Sequence, residues 1–141
     1  MIGKALQIAY SAHNDQIDKG GLPYIQHPIR VALNCHTDDE KIVALLHYVV
    51  EDTDITMQDL QQAGFDSHII DAIIAITKNE DEDYMQFIKR LSKNNLALSV
   101  KINDLKDNMD IRRLNGKPHW KMEVYQKALS YLESIRMNHK I

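Results

Sequence analysis

The segment from Ile42 to Val50 constrains the fold more than any other part of the chain. It is apolar nearly all round a helical projection and turns acidic immediately after its end. Just before it, Thr37 and three acidic residues ending at Glu40 form the pattern of a helix start, with acids in the first turn. The segment therefore predicts a helix that is central and buried on most of its sides.

The end of the same segment carries ionisable side chains. His47 and Glu51 are four residues apart, as are Tyr48 and Asp52, and residues at this spacing share one face of a helix. Burying such groups is costly without a specific partner, which makes this stretch a candidate site. The alternative is a helix C-terminus whose acidic residues are simply solvated.

The other periodic segments also show apolar residues at steps of three and four. They are separated by glycine, proline and asparagine turns, and no stretch shows sustained period-two alternation. The predicted helices cover residues 2–17, 27–35, 42–50, 57–63, 69–77, 83–93, 96–109 and 120–137. This pattern predicts an all-α fold, a single helical bundle of about seven or eight helices spanning residues 1–141.

Length and charge exclude several classes of protein. A chain of 141 residues suits one domain with a sizeable core. The net charge is −3 and the basic residues are scattered, which argues against a nucleic-acid-binding module. No apolar run is long enough to cross a bilayer, and no signal peptide opens the chain. A lone cysteine, Cys35, fits a reducing compartment, so we expect a cytoplasmic protein; the sequence gives no indication of its oligomeric state.

Three side chains from separate predicted helices form a candidate metal site. His27 lies at or near a helix N-cap, His47 near the end of the central helix, and Asp104 in the second half of a later helix. Two imidazoles and a carboxylate could hold one divalent cation of the Mn²⁺, Fe²⁺ or Zn²⁺ kind. Such an ion lowers the pKa of bound water and polarises a phosphoryl oxygen, with Glu51 and Asp52 as the nearby acid and base. The alternative is that the histidines are hydrogen-bonded residues of the core.

Three motifs give the chain a resemblance to a known family. They read His13-x-x-Gln16-x-x-Lys19-x-Gly21-x-Pro23-Tyr24-Ile25-x-His27-Pro28-x-x-Val31-Ala32, then Ala44-Leu45-Leu46-His47-x-Val49-Val50-Glu51-Asp52-Thr53, then Val100-Lys101-x-x-Asp104-x-x-Asp107-Asn108-Met109. In identity, order and spacing they resemble the HD-domain hydrolases of the RelA/SpoT type. The resemblance covers roughly residues 3 to 135 and leaves no room for a synthetase or regulatory domain. The chain is therefore similar to the stand-alone small alarmone hydrolases, such as the metazoan SpoT homologues.

The resemblance implies a specific activity and a set of roles. It implies an all-helical HD fold with one Mn²⁺ that removes the 3′-pyrophosphate from (p)ppGpp, leaving GDP or GTP. The implied metal ligands are His27, His47, the residue after His47, and Asp104. The implied pair that activates water is Glu51 and Asp52. The implied contacts to the guanine-nucleotide alarmone are Asn108 and Lys19. Tyr24 lies in the same loop as Lys19 and is a further candidate contact; the alternative is that it packs the loop onto the core.

One position departs from the family. The family is named after a His-Asp doublet, whereas this chain has Tyr48 after His47. The missing aspartate is a metal ligand, and without it less negative charge faces the cation, so metal affinity should fall. A phenol with an ordinary pKa of about 10 ligates only after losing its proton. We therefore expect Mn²⁺ to be weakly held or absent and hydrolysis of the alarmone to be impaired.

Two other functions remain open at this stage. The same pocket chemistry would suit another nucleotide, such as the 2′-phosphate of NADPH. The domain could also bind the alarmone without turning it over. A purely structural helical domain fits less well, because Glu51, Asp52, Asp104 and Asn108 sit in segments otherwise built for a core.

Overall fold

The computed structural model describes residues 1–18, 21–110 and 121–139. Within these residues the fold is all-α, as the sequence predicts, with eight helices. Their bounds are α1 Ile2–Ala12, α2 Gln26–Asn34, α3 Asp38–Asp52, α4 Met57–Gln62, α5 Ser67–Ala75, α6 Tyr84–Leu91, α7 Asn95–Asn108 and α8 Met122–His139. No helix in this part of the chain combines the length and the apolar character needed to cross a membrane.

Helix α3 is the centre of the structure and packs against α1, α2, α5 and α7. Its start is the predicted one: the Thr37 hydroxyl accepts from the Glu40 amide, and the Glu40 carboxylate accepts from the Thr37 amide, forming a capping box. Every residue from Ile42 to Val49 is buried. A helix buried on all sides in this way fixes the positions of the side chains near its C-terminal end.

Helix α1 is shorter than predicted. The apolar spacing indicated a helix to Ile17, but the helix ends at Ala12 and Ile17 is exposed. The chain turns back instead. Ile17 forms an isolated antiparallel bridge with Pro23, and the Tyr24 amide donates to the Gln16 carbonyl at 2.8 Å. Gln16 and Ile17 therefore pair with residues of the returning loop instead of extending the helix.

The returning loop delivers His27 to the interior. The prediction placed His27 at or near an N-cap; it is the second residue of α2, and its amide donates to the Tyr24 carbonyl at 3.0 Å. Pro28 occupies the first turn, where a missing N–H costs nothing. His27, Pro28 and Val31 all face the core.

The remaining predicted helices are found with their ends shifted by a few residues. Asp83 caps α6 and Asn94 caps α7, each accepting a backbone N–H from the first turn. Gly64 follows α4 with a positive φ of 98°, a conformation that suits glycine. Trp120, the predicted first residue of the last helix, lies outside the described residues.

We expect Leu46 to carry a large share of the stability, because it is fully buried in α3. Leu46→Ala should lower the free energy of unfolding by about 2–5 kcal/mol through lost apolar burial and the cavity left behind. Leu33→Ala is the matched control: Leu33 is 73% exposed on α2 and should change stability by less than about 0.5 kcal/mol. Urea denaturation followed by circular dichroism measures both; equal effects would contradict the central position of α3.

Candidate active site

Asp104 is the centre of the candidate site. It lies on α7 and is 3% exposed. Oδ1 accepts hydrogen bonds from the Tyr48 hydroxyl at 2.5 Å, His27 Nε2 at 3.1 Å and Asn108 Nδ2 at 3.3 Å. Oδ2 accepts from Lys101 Nζ at 2.9 Å. Burial by itself would raise the pKa of Asp104, but the charges and donors around it hold that pKa well below its ordinary value.

Tyr48 lies inside the site and not on its rim. Its side chain comes from α3, is 4% exposed, and directs its hydroxyl to Asp104. Burial and the neighbouring negative charge of Asp104 raise its pKa well above the ordinary value, so it remains a neutral hydrogen-bond donor. Its ring lies against both imidazoles, with centroid separations of 4.9 Å to His27 and 3.7 Å to His47.

His27 is held between two carboxylates. Nε2 faces Asp104, and Nδ1 hydrogen-bonds Asp107. Arg30, three residues further along α2, binds Asp107 through Nε at 2.8 Å and a terminal nitrogen at 3.1 Å. Burial lowers the pKa of His27, but the two carboxylates outweigh burial and the net pKa is raised. This arrangement ties α2 to α7 by a histidine and an arginine that share one acid.

His47 is buried, and among the described residues no carboxylate hydrogen-bonds it. It is 2% exposed, and its Nδ1 lies 3.4 Å from the Val43 carbonyl, which accepts a hydrogen bond in the tautomer with a proton on Nδ1. Burial lowers its pKa to about 3, so the ring is neutral. The structure therefore brings His47 beside Tyr48 but does not hydrogen-bond it to Asp104.

Glu51, Asp52 and Tyr24 form the solvent side of the site. Both acids are exposed at the end of α3. Loss of water around the Glu51 carboxyl, with the negative charges of Asp104 and Asp52, raises its pKa to about 7 although Lys101 opposes the shift. The half-buried Tyr24 is close enough to Asp52 to feel its charge, and burial together with that acid raises the pKa of the phenol.

The predicted alarmone contacts fall in two groups. Asn108 is half-buried one turn after Asp104, and Tyr24 lies beside His27 with ring centroids 6.0 Å apart. Lys19 lies outside the described residues. The roles given to these side chains by the resemblance remain predictions.

The residues predicted to hold Mn²⁺ do not fit a divalent cation as they are arranged. Among the described residues, no group of three or more histidine, cysteine, aspartate or glutamate side chains is placed to hold a metal ion. A ligating imidazole must offer an unprotonated nitrogen, yet both nitrogens of His27 face carboxylates. Oδ1 of Asp104 already contacts three donors.

Three residues of the site had no role in the sequence prediction: Lys101, Asp107 and Arg30. The first two were present in the quoted motif but unassigned. The signal was helical spacing, because Lys101 and Asp107 lie three residues on either side of Asp104, and Arg30 lies three after His27. That spacing predicts shared faces, but only the packing of α2 against α7 shows that the two faces meet.

Several curated proteins similar to this chain are described as guanosine-3′,5′-bis(diphosphate) 3′-pyrophosphohydrolases. The guanosine-3′,5′-bis(diphosphate) 3′-pyrophosphohydrolase of Aquifex aeolicus (strain VF5) is 31% identical over 120 residues, covering 77% of this chain and 17% of that protein. The probable enzyme of the same description from Mycoplasma pneumoniae is 34% identical over 107 residues, covering 73% of this chain and 14% of that protein. The chain thus spans less than a fifth of the length of these relatives. No protein-family model matches it.

A solved structure is similar to this chain over most of the length of both. It is described as "A metazoan ortholog of SpoT hydrolyzes ppGpp and plays a role in starvation responses". The TM-score is 0.72 with 23% sequence identity, over 95% of this chain and 82% of that one. At this identity the likeness is one of fold.

We expect Asp107 to stabilise the structure through His27 and Arg30. Asp107→Asn should lower the free energy of unfolding at pH 7 by about 1–3 kcal/mol, because a hydrogen bond between charged groups is lost. The His27 and Arg30 contacts hold the pKa of Asp107 below its ordinary value, although burial opposes them. Its contribution is therefore full above an unfolded pKa of about 4 and is lost as the pH falls through the lower folded value.

Urea denaturation at several pH values tests this. The difference between wild type and Asp107→Asn should shrink below about pH 4, while Asp71→Asn, at an exposed position of α5, should match wild type throughout. A difference that stays constant with pH would contradict the ion-pair account.

Proposed function

This chain belongs to the family of SpoT-type hydrolase domains, and we propose that its ligand is a guanosine alarmone of the (p)ppGpp kind. We further propose that it removes the 3′-pyrophosphate poorly or not at all. The proposal of impaired hydrolysis rests on the hydrogen bond from Tyr48 to Asp104 at 2.5 Å. The proposal of an alarmone ligand is supported by the descriptions of the relatives.

Access to the site supports a role for the acidic pair. Glu51 and Asp52 are exposed at the end of α3, where water and a nucleotide can reach them. A general base works best when its pKa lies near the operating pH, and the pKa of Glu51 is about 7. Tyr24, whose phenol is influenced by the charge of Asp52, would help to hold that second carboxylate beside an incoming phosphate.

Charge explains why turnover should be poor. A 3′-diphosphate brings several negative charges toward a surface that already carries Glu51 and Asp52. In hydrolases of this kind a bound cation would offset that repulsion and polarise the phosphoryl oxygen. Among the described residues, Lys101 is a positive charge that acts on Glu51, and its ammonium is already paired with Asp104. Without a cation at the reacting phosphate this repulsion is not offset there, so we expect hydrolysis to be inefficient.

Restoring an aspartate at position 48 tests the impairment. Tyr48→Asp removes the ring between the imidazoles and supplies the absent carboxylate, so ppGpp hydrolysis with Mn²⁺ should rise by about 10-fold to 100-fold or more over wild type. Release of pyrophosphate and GDP is the measurement. Tyr10→Asp, at a position that is 59% exposed on α1, is the control for the same change of residue type and should hydrolyse ppGpp as wild type does. Equal hydrolysis by wild type and Tyr48→Asp would contradict the proposal that Tyr48 impairs hydrolysis.

Calorimetry tests the ligand independently of turnover. The wild-type chain should bind ppGpp, and Asn108→Ala should weaken binding about 10-fold if the amide contacts the nucleotide, the effect of roughly one hydrogen bond. Asn95→Ala, exposed at the start of the same helix, should bind as wild type does. Absence of any binding by the wild-type chain would exclude the alarmone as its ligand.

A further inference from the structure

We propose that Tyr48 takes the place of the divalent cation at Asp104, with the motif residue Lys101 as the counter-charge, so that this chain holds Asp104 in place with its own side chains and needs no metal. The proposal concerns what holds α2, α3 and α7 together at the site. It does not depend on which nucleotide binds on the solvent side of the site, beside Glu51 and Asp52.

Four protein donors surround the Asp104 carboxylate, and three of them share its Oδ1. A carboxylate offers about four acceptor positions on its two oxygens. Four protein donors contact it: Tyr48, His27 and Asn108 on Oδ1, and Lys101 on Oδ2. The donors come from three helices, so the carboxylate is approached from several directions. A cation that approached Oδ1 would have to displace at least one of its three donors before it could bind.

The charge of Asp104 is also balanced. A buried carboxylate is stable only with a partner of opposite charge and with its remaining lone pairs satisfied. The Lys101 side chain is 13% exposed, and its ammonium pairs with Asp104 at 2.9 Å. The same ammonium lies 5.5 Å from the ring centroid of Phe87 and 5.8 Å from that of Tyr84, which adds cation–π attraction. The Lys101 ammonium is therefore stabilised by three side chains, Asp104, Phe87 and Tyr84.

The volume next to Asp104 is occupied as well. The Tyr48 ring stands against both His27 and His47, the two imidazoles that the resemblance assigns to the metal. A tyrosine is bulkier than aspartate and fills the space in which their nitrogens would converge. The hydrogen bonds to Asp104, its neutralisation by Lys101 and the volume of the Tyr48 ring thus all argue against a cation at this position.

The wild-type chain is the first test. Its thermal unfolding midpoint should be the same within about 1 °C after treatment with EDTA, in buffer alone, and with added MnCl₂, and calorimetry with MnCl₂ alone should show no saturable binding. Stoichiometric binding of Mn²⁺, or a midpoint that rises with it, would overturn the proposal. Neither measurement uses the nucleotide, so failure here is separate from failure of the proposed ligand.

Two variants test the replacement side chains. Tyr48→Phe removes only the hydroxyl, and Lys101→Met removes the ammonium while keeping a long side chain. Each should lower the midpoint by about 4 °C or more, since a donor to a buried charge is lost. The controls are Tyr10→Phe and Lys106→Met, at exposed positions of α1 and of the same helix α7, and they should stay within about 1 °C of wild type.

The double variant and a rescue complete the design. Tyr48→Phe with Lys101→Met should lose a different amount of stability from the sum of the single losses, because both donors serve one carboxylate. Lys101→Arg keeps the positive charge and should recover part of the loss. Midpoints equal to those of the controls would overturn the proposal. If Lys101→Met fails to fold, Tyr48→Phe and the metal titration of wild type still decide it.

Discussion

The site depends on one electrostatic constraint, which is that a carboxylate buried in the core must be neutralised there. Asp104 satisfies it with Lys101 as the counter-charge and with donors from Tyr48, His27 and Asn108. Removing a partner from such a group leaves a desolvated charge, a much larger cost than the net gain of forming the pair. The positions of the surrounding helices are thus coupled to the state of a single side chain.

The fold meets this constraint with local and with long-range contacts. Lys101 and Asn108 reach Asp104 along α7 itself, at spacings of three and four residues, whereas His27 and Tyr48 come from α2 and α3. Asp107 adds a second link, because it binds both His27 and Arg30 of α2. The capped and fully buried α3 provides the fixed frame against which α2 and α7 meet.

Membership of a family and performance of its reaction are separate properties of this chain. The chain belongs to the family of SpoT-type hydrolase domains, and its helical architecture is similar to that of a solved structure. At position 48 the interior carries a neutral donor, whose hydroxyl hydrogen-bonds Asp104. Under our proposal, this one side chain converts the predicted ligands of a cation into hydrogen-bonded partners, while the fold that carries them stays the same.

The sequence by itself determined the helices and most of the site's membership. Apolar spacing, the Thr37 start signal and the glycine and proline turns act over a few residues, so the sequence predicts them directly. The prediction was wrong for the end of α1, because after Ala12 the backbone pairs with the returning loop instead of continuing the helix. Motif identity likewise brought His27, His47, Tyr48 and Asp104 together. Only the tertiary structure decided how these groups are paired: that Tyr48 donates to Asp104, that Lys101 neutralises it, and that Asp107 joins His27 to Arg30. Such pairings depend on which helix faces meet and on where water is excluded, and neither property is encoded in the spacing of residues along one segment.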